Sequence, residues 1–217
     1  MTQYAQEPDL KRVAGLYNDR FHEFGRDIKT VGWVSAKSQA LRFEVLFRGL
    51  DLIGKTILDV GCGLGGLVPY LEERTKGDFL YIGIDVAETL VADATSSYGR
   101  PGREFHAGDI FNVVIPAVDI AVLSGALSYR SAGMEEYAYA TMRRMYEVAR
   151  IGACLNFLSK YVDYELEKNQ HYQPEVVFSR AKTITPRVNI FHDYPLYEFT
   201  VQLLKPERTD WQKAAGG

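Results

Sequence analysis

Eight residues constrain this chain more than any others: Asp59-Val60-Gly61-Cys62-Gly63-Leu64-Gly65-Gly66, which follow the apolar run Thr56-Ile57-Leu58 and precede a helical pattern. Glycines at that junction permit a tight turn and let a ligand approach the backbone, while the next helix offers N–H groups with no intrahelical partner. The rest of the chain keeps the same rhythm. Apolar runs at 56–60, 79–85, 104–106, 119–123, 153–158, 188–192 and 198–204 alternate with amphipathic stretches at 67–74, 88–97, 134–150 and 174–181. Such alternation predicts an α/β fold with a doubly wound, mostly parallel sheet and helices on both faces. Only Asp193-Tyr194-Pro195-Leu196-Tyr197 separates the last two runs, too few residues for a crossover helix, so the last strand is expected to be antiparallel.

Upstream, Leu10, Val13, Ala14, Tyr17 and Phe21 share one helical face, and Phe43, Leu46, Phe47 and Leu50 share a face of a second helix. The expected organisation is a helical extension over 1–50 that covers the ligand site and a binding domain over 51–217, together one structural domain. A formal charge of -3 supplies no overall positive field for nucleic acid or an anionic membrane. Two cysteines, Cys62 and Cys154, give no disulfide framework; with an amino terminus unlike a signal peptide and no apolar run long enough to span a bilayer, a reduced cytoplasmic location is expected. Four scattered histidines offer no metal-ligand spacing.

Two acids narrow the choice of ligand. Asp59 ends the first strand two residues before Gly61, where a carboxylate would repel a pyrophosphate but suit an amino group. Asp85 ends the second strand, where a carboxylate can accept hydrogen bonds from both ribose hydroxyls of a nucleoside. A nucleoside joined to an ammonium group describes S-adenosylmethionine. Gly61, Gly63 and Gly66 also satisfy the dinucleotide pattern G-x-G-x-x-G, so a nicotinamide-dependent oxidoreductase is a rival reading, and a non-catalytic binding protein is another.

From about Lys55 to Lys205 the chain resembles the class I S-adenosylmethionine-dependent methyltransferases. Ile57 to Gly65 matches that family's first motif, Tyr81-Ile82-Gly83-Ile84-Asp85-Val86 the second, and Gly108-Asp109-Ile110 the third, while Ser124-Gly125 stands at the mouth of the fourth strand. The resemblance implies a seven-stranded sheet and S-adenosylmethionine as cofactor. It implies that Asp59, Gly61 and Gly63 contact the methionine portion; Cys62 is counted with these cofactor-binding residues, as a small filler beside the glycines rather than a nucleophile. Asp85 and Val86 would meet the ribose, Asp109 and Ile110 the adenine, and Ser124 and Gly125 would complete the site.

The acceptor belongs at the carboxyl ends of the parallel strands. Ser128-Tyr129-Arg130 stands where relatives acting on adenine or glutamine amides carry an N-P-P-Y type motif, a departure that argues against a nucleic-acid amino methyltransferase. A polar, aromatic stretch over 159–173 contains Tyr161, Asp163, Tyr164, Glu165, His171 and Tyr172 and is long enough to serve as a lid. Tyr129, Tyr161 and Tyr172 are accordingly expected to bind substrate. By position, His192 is the expected general base with Asp193 beside it to orient the imidazole. Trp33 is a candidate for closing the methionine end, alongside the helix carrying Gln39 and Arg42. Together these features point to methyl transfer from S-adenosylmethionine to an oxygen or nitrogen of a small molecule.

Overall fold

The computed structural model describes residues 8–32 and 35–206. Seven strands form one sheet: β1 (Lys55–Val60), β2 (Phe79–Asp85), β3 (Arg103–Ala107), β4 (Val118–Leu123), β5 (Ala149–Leu158), β6 (Arg187–Phe191) and β7 (Glu198–Leu204). Their order is β3-β2-β1-β4-β5-β7-β6. The pairs among β1 to β5 are parallel, whereas β7 enters antiparallel between β5 and β6. Because β1 has neighbours on both sides and the chain reverses direction of winding there, a crevice opens at the carboxyl ends of β1 and β4.

Both faces of the sheet are covered, and the strand residues divide between them with period two. Ile57, Ile120, Val122 and Cys154 pack with α2 (Ala36–Leu46) and α3 (Leu67–Thr75). Leu58, Ala121, Leu123, Ala153 and Leu155 face the other way, toward α5 (Met134–Val148) and α6 (Pro174–Lys182). At roughly 25 cal/mol per Å2 of apolar surface removed from water, these two layers supply the main folding force.

The remaining helices are α1 (Leu10–Phe24) and α4 (Glu88–Tyr98). Tyr17, Phe21 and the connector residue Val31 pack on Leu64, Ala87 and Leu90, beside the glycine turn and the start of α4. Of the residues in α1 only Val13 is buried. Two helix ends differ from the sequence expectation. The periodicity that continues through Ala149 is a helix only to Val148, because Ala149 already pairs with Val118 as the first residue of β5. Likewise α2 ends at Leu46; Phe47 stays buried in the turn that follows, which closes through the left-handed Gly49.

Among the described residues no helix is long and apolar enough to cross a membrane, and no group of three or more His, Cys, Asp or Glu could hold a metal ion.

Candidate active site

A cavity of about 1060 Å3 opens at the carboxyl ends of β1, β2 and β4, walled on its outer side by residues of α1 and α2. Its floor is the glycine turn. Gly61 has φ +75°, and a Cβ there would stand 2.3 Å from the Cβ of Ala126. The turn therefore passes closer to the β4 loop than any side chain permits. The N–H groups of Gly61 and Cys62 both donate to the carbonyl of Ile84, which fastens the turn to β2. Gly63, at φ +52°, donates its N–H to Asp85 Oδ2 at 2.8 Å.

Two carboxylates stand at this end. Asp59 is buried and accepts a hydrogen bond from the Tyr81 hydroxyl at 2.7 Å. Burial pushes its carboxyl up to about 7; the Tyr81 bond opposes that rise, and the nearby Asp85 charge adds to it. Asp85 is also raised by burial, against the amides of Ala87, Gly63 and Val86 that favour its charged form. Tyr17 of α1 feels the Asp85 charge, though burial is the larger reason its phenol is raised. Next to Asp85, Gly108 donates to the Asp85 carbonyl, and Asp109 Oδ1 accepts from the Tyr137 hydroxyl at 2.8 Å.

The structure brings Asp59, Gly61, Cys62, Gly63, Asp85, Val86, Asp109, Ile110, Ser124 and Gly125 to the wall of this one cavity. Tyr129 lines it as well. Trp33 lies outside the described residues.

Four other expected residues fall elsewhere. Tyr172 is 2% exposed, with its ring against Phe157 and its hydroxyl donating to the Leu127 carbonyl, so it is core. Tyr161 is 65% exposed and donates to Glu175. His192 is exposed and packs edge-on to Phe199, away from the cavity lining. Asp193 does not orient it, because both Asp193 oxygens accept from Arg48 at 2.9 and 3.0 Å. β6 ends at Phe191, so His192 and Asp193 lie in the connection to β7; its later residues Pro195, Leu196 and Tyr197 line the cavity and these two do not.

Sequence reasoning did not single out His171 as a site residue, although it lines the cavity at 5% exposure. Its Nδ1 lies 2.6 Å from the Ser159 carbonyl, and its Nε2 is buried with no hydrogen-bond partner. Ser124 Oγ and Thr141 Oγ1, from two other residues of the lining, are likewise buried without a partner. The signal that could have found His171 is alternation: in an extended segment adjacent residues face opposite ways, so a buried Tyr172 turns His171 outward from the core.

Glu198 completes the lining at the start of β7. Its carboxylate accepts from Arg42 Nε of α2 at 2.6 Å and from Asn156 Nδ2 at 3.4 Å. Asn156 Oδ1 in turn accepts the Gly125 N–H at 2.8 Å. A buried relay of polar contacts thus runs from α2 through β7 and β5 to the mouth of β4.

A family model described as a methyltransferase domain matches residues 57–151. Over 159 residues the chain is 31% identical to Rv1506c of Mycobacterium tuberculosis, a provisionally named methyltransferase, spanning 69% of this chain and 93% of that one. The solved magnesium protoporphyrin IX methyltransferase of Synechocystis PCC 6803, with S-adenosylhomocysteine bound, superposes with a TM-score of 0.65 at 17% identity, covering 91% of this chain and 100% of that chain. A TehB-like S-adenosylmethionine-dependent methyltransferase from Corynebacterium glutamicum gives a TM-score of 0.58 at 18% identity, with 88% and 98% covered.

Proposed function

We propose, from the premise that this chain belongs to the class I S-adenosylmethionine-dependent methyltransferases, that its acceptor is a small molecule methylated on oxygen or nitrogen. That it is an enzyme using S-adenosylmethionine follows from the family itself. The residues at the glycine turn fit this donor. Gly61, Gly63 and Gly66 present backbone without side chains to the cavity, and a carboxyl raised to about 7 at Asp59 is an acid whose ionisation a neighbouring ammonium group would favour. In this reading Asp59 and the Gly61–Gly63 backbone hold the methionine end, Asp85 and Val86 the ribose, and Asp109 and Ile110 the adenine. The cover formed by α1 and α2 shields the donor from water.

The observation that carries the small acceptor is the cavity. Pockets for drug-sized ligands run to about 1,000 Å3, and this one has about 1060 Å3. It extends past the donor residues to Tyr129, His171, Leu196 and Tyr197, beneath residues 162–169. Such a lobe suits a compact acceptor more than a duplex or a folded protein. The Synechocystis relative in fold is named for magnesium protoporphyrin IX, itself a small molecule. Donating the methyl group is the chemistry that S-adenosylmethionine supplies when bound; positioning the acceptor is the work of the protein, worth several kcal/mol of barrier.

The test is a pair of titrations followed by turnover. S-adenosylhomocysteine should bind in calorimetry and NADH should not, and incubation with methyl-labelled donor should place label in the low-mass fraction of a metabolite extract. Label confined to protein or nucleic acid would overturn the small-acceptor reading.

A further inference from the structure

His171 is held by two neighbours at the mouth of the sheet. Residues 168–172 run back between the carboxyl ends of β4 and β5. On one side Arg130 N donates to the Lys168 carbonyl, and Gln170 N to that of Ser128. On the other, Tyr172 N donates to the Leu158 carbonyl and Lys160 N to that of Tyr172. The backbone that carries the imidazole is thereby fixed between the ends of β4 and β5.

Its tautomer is fixed too. A backbone carbonyl can only accept, so Nδ1, 2.6 Å from the Ser159 oxygen, carries the proton. In the neutral ring Nε2, on the opposite edge, then carries the lone pair, buried and unpartnered on a residue that lines the cavity. A buried polar atom without a partner is costly, and in a ligand site it marks where the ligand's complementary group goes. The complement of a lone-pair acceptor is a donor, such as a hydroxyl proton. An amine attacks through its own lone pair and needs no base in the transition state, whereas a poorly ionised hydroxyl does. An ammonium acceptor would call for a carboxylate, but in this lobe Glu198 already accepts from Arg42 and Asn156, and Lys168 adds a positive charge.

We propose that His171 Nε2 takes the proton from a neutral hydroxyl group of an acceptor whose apolar body lies against Leu158, Val162, Leu166 and Leu196 of the lining, which makes this enzyme an O-methyltransferase of phenol-like compounds. The inference rests on the small-acceptor reading above. The acceptor oxygen bonds to the methyl carbon as the carbon–sulfur bond breaks, its electron pair staying on sulfur. The O–H proton passes to Nε2, and the imidazolium later releases it to water.

The test uses two readouts on the whole protein. In 15N-histidine-labelled enzyme holding S-adenosylhomocysteine, with the His171 signal assigned by its loss in His171→Gln, addition of phenol should shift the Nε2 resonance of a neutral, Nδ1-protonated ring. In a mildly alkaline buffer, His171→Gln should reduce methylation of phenol about a hundredfold, and methylation of 4-nitrophenol, which ionises unaided, by only a few-fold. An equal loss for both phenols, an unmoved resonance, or turnover of benzoate or phenethylamine in place of phenol would overturn the proposal. Failure to bind S-adenosylhomocysteine at all would instead count against the parent reading.

Discussion

The two ends of the cavity are built on opposite terms. At the glycine turn nearly every polar group is already answered from within: Gly63 and Ala87 amides hold Asp85, Tyr81 holds Asp59, and Tyr137 holds Asp109. On the segment of residues 168–172, His171 Nε2 is buried and unanswered. A site whose polar groups are satisfied is rigid and keeps one ligand, and a site with orphaned groups is tuned by whatever satisfies them. In the proposed function the first end holds the donor and the second the acceptor.

The largest effect that would break this contrast lies at the turn. Asp85→Ala removes the acceptor of two backbone amides as well as the proposed ribose contact, and S-adenosylhomocysteine affinity should fall by at least a hundredfold in calorimetry while circular dichroism stays native; unchanged affinity would dismantle the assigned pocket. Gly61→Ala forces a side chain into a 2.3 Å gap at positive φ, and denaturant unfolding should register a loss of about 2–3 kcal/mol.

Asp59→Asn sharpens the contrast by separating stability from binding. The native Asp59 carboxyl titrates at about 7 against an ordinary 3.8, so between those values the folded protein holds a proton the unfolded chain has lost, and native stability declines as pH rises through that window. Above it the asparagine variant should melt a few degrees higher than the parent and bind S-adenosylhomocysteine roughly tenfold more weakly. The parent's own affinity should strengthen as pH rises through 7 and Asp59 ionises. A melting temperature unchanged by the substitution would place the carboxyl in water. The smallest effect is expected for His192→Ala, which should leave kcat/KM within about twofold because the ring packs outside the cavity. A loss matching that of His171→Gln would erase the distinction between the two histidines.

What could be read from the sequence follows the same division. The turn, its two acids and the Gly108-Asp109-Ile110 segment are local signals, since each ligand-facing group lies within a few residues of a strand end that its own apolar run announces. The reversed last strand was equally legible from a five-residue connection. His171 was not, because its place depends on residues 168–172 pairing with two segments roughly ten to forty positions away. Adjacent Tyr172 offered an equally plausible ring, and only the packing against Phe157 decides which of the two goes inward. His192 misled for the complementary reason: the strand end was rightly located, but which way the chain leaves it depends on the turn toward β7 rather than on spacing.

The Arg42–Glu198–Asn156–Gly125 relay bears on how such enzymes can be recombined. Exchanging the first fifty residues between relatives would strand an anion in the interior unless the incoming segment brought a cation to the same spot, with a penalty of several kcal/mol. Glu198 therefore sets a compatibility rule for chimeras, and a graft that ignores it would unsettle the β4 mouth through Asn156.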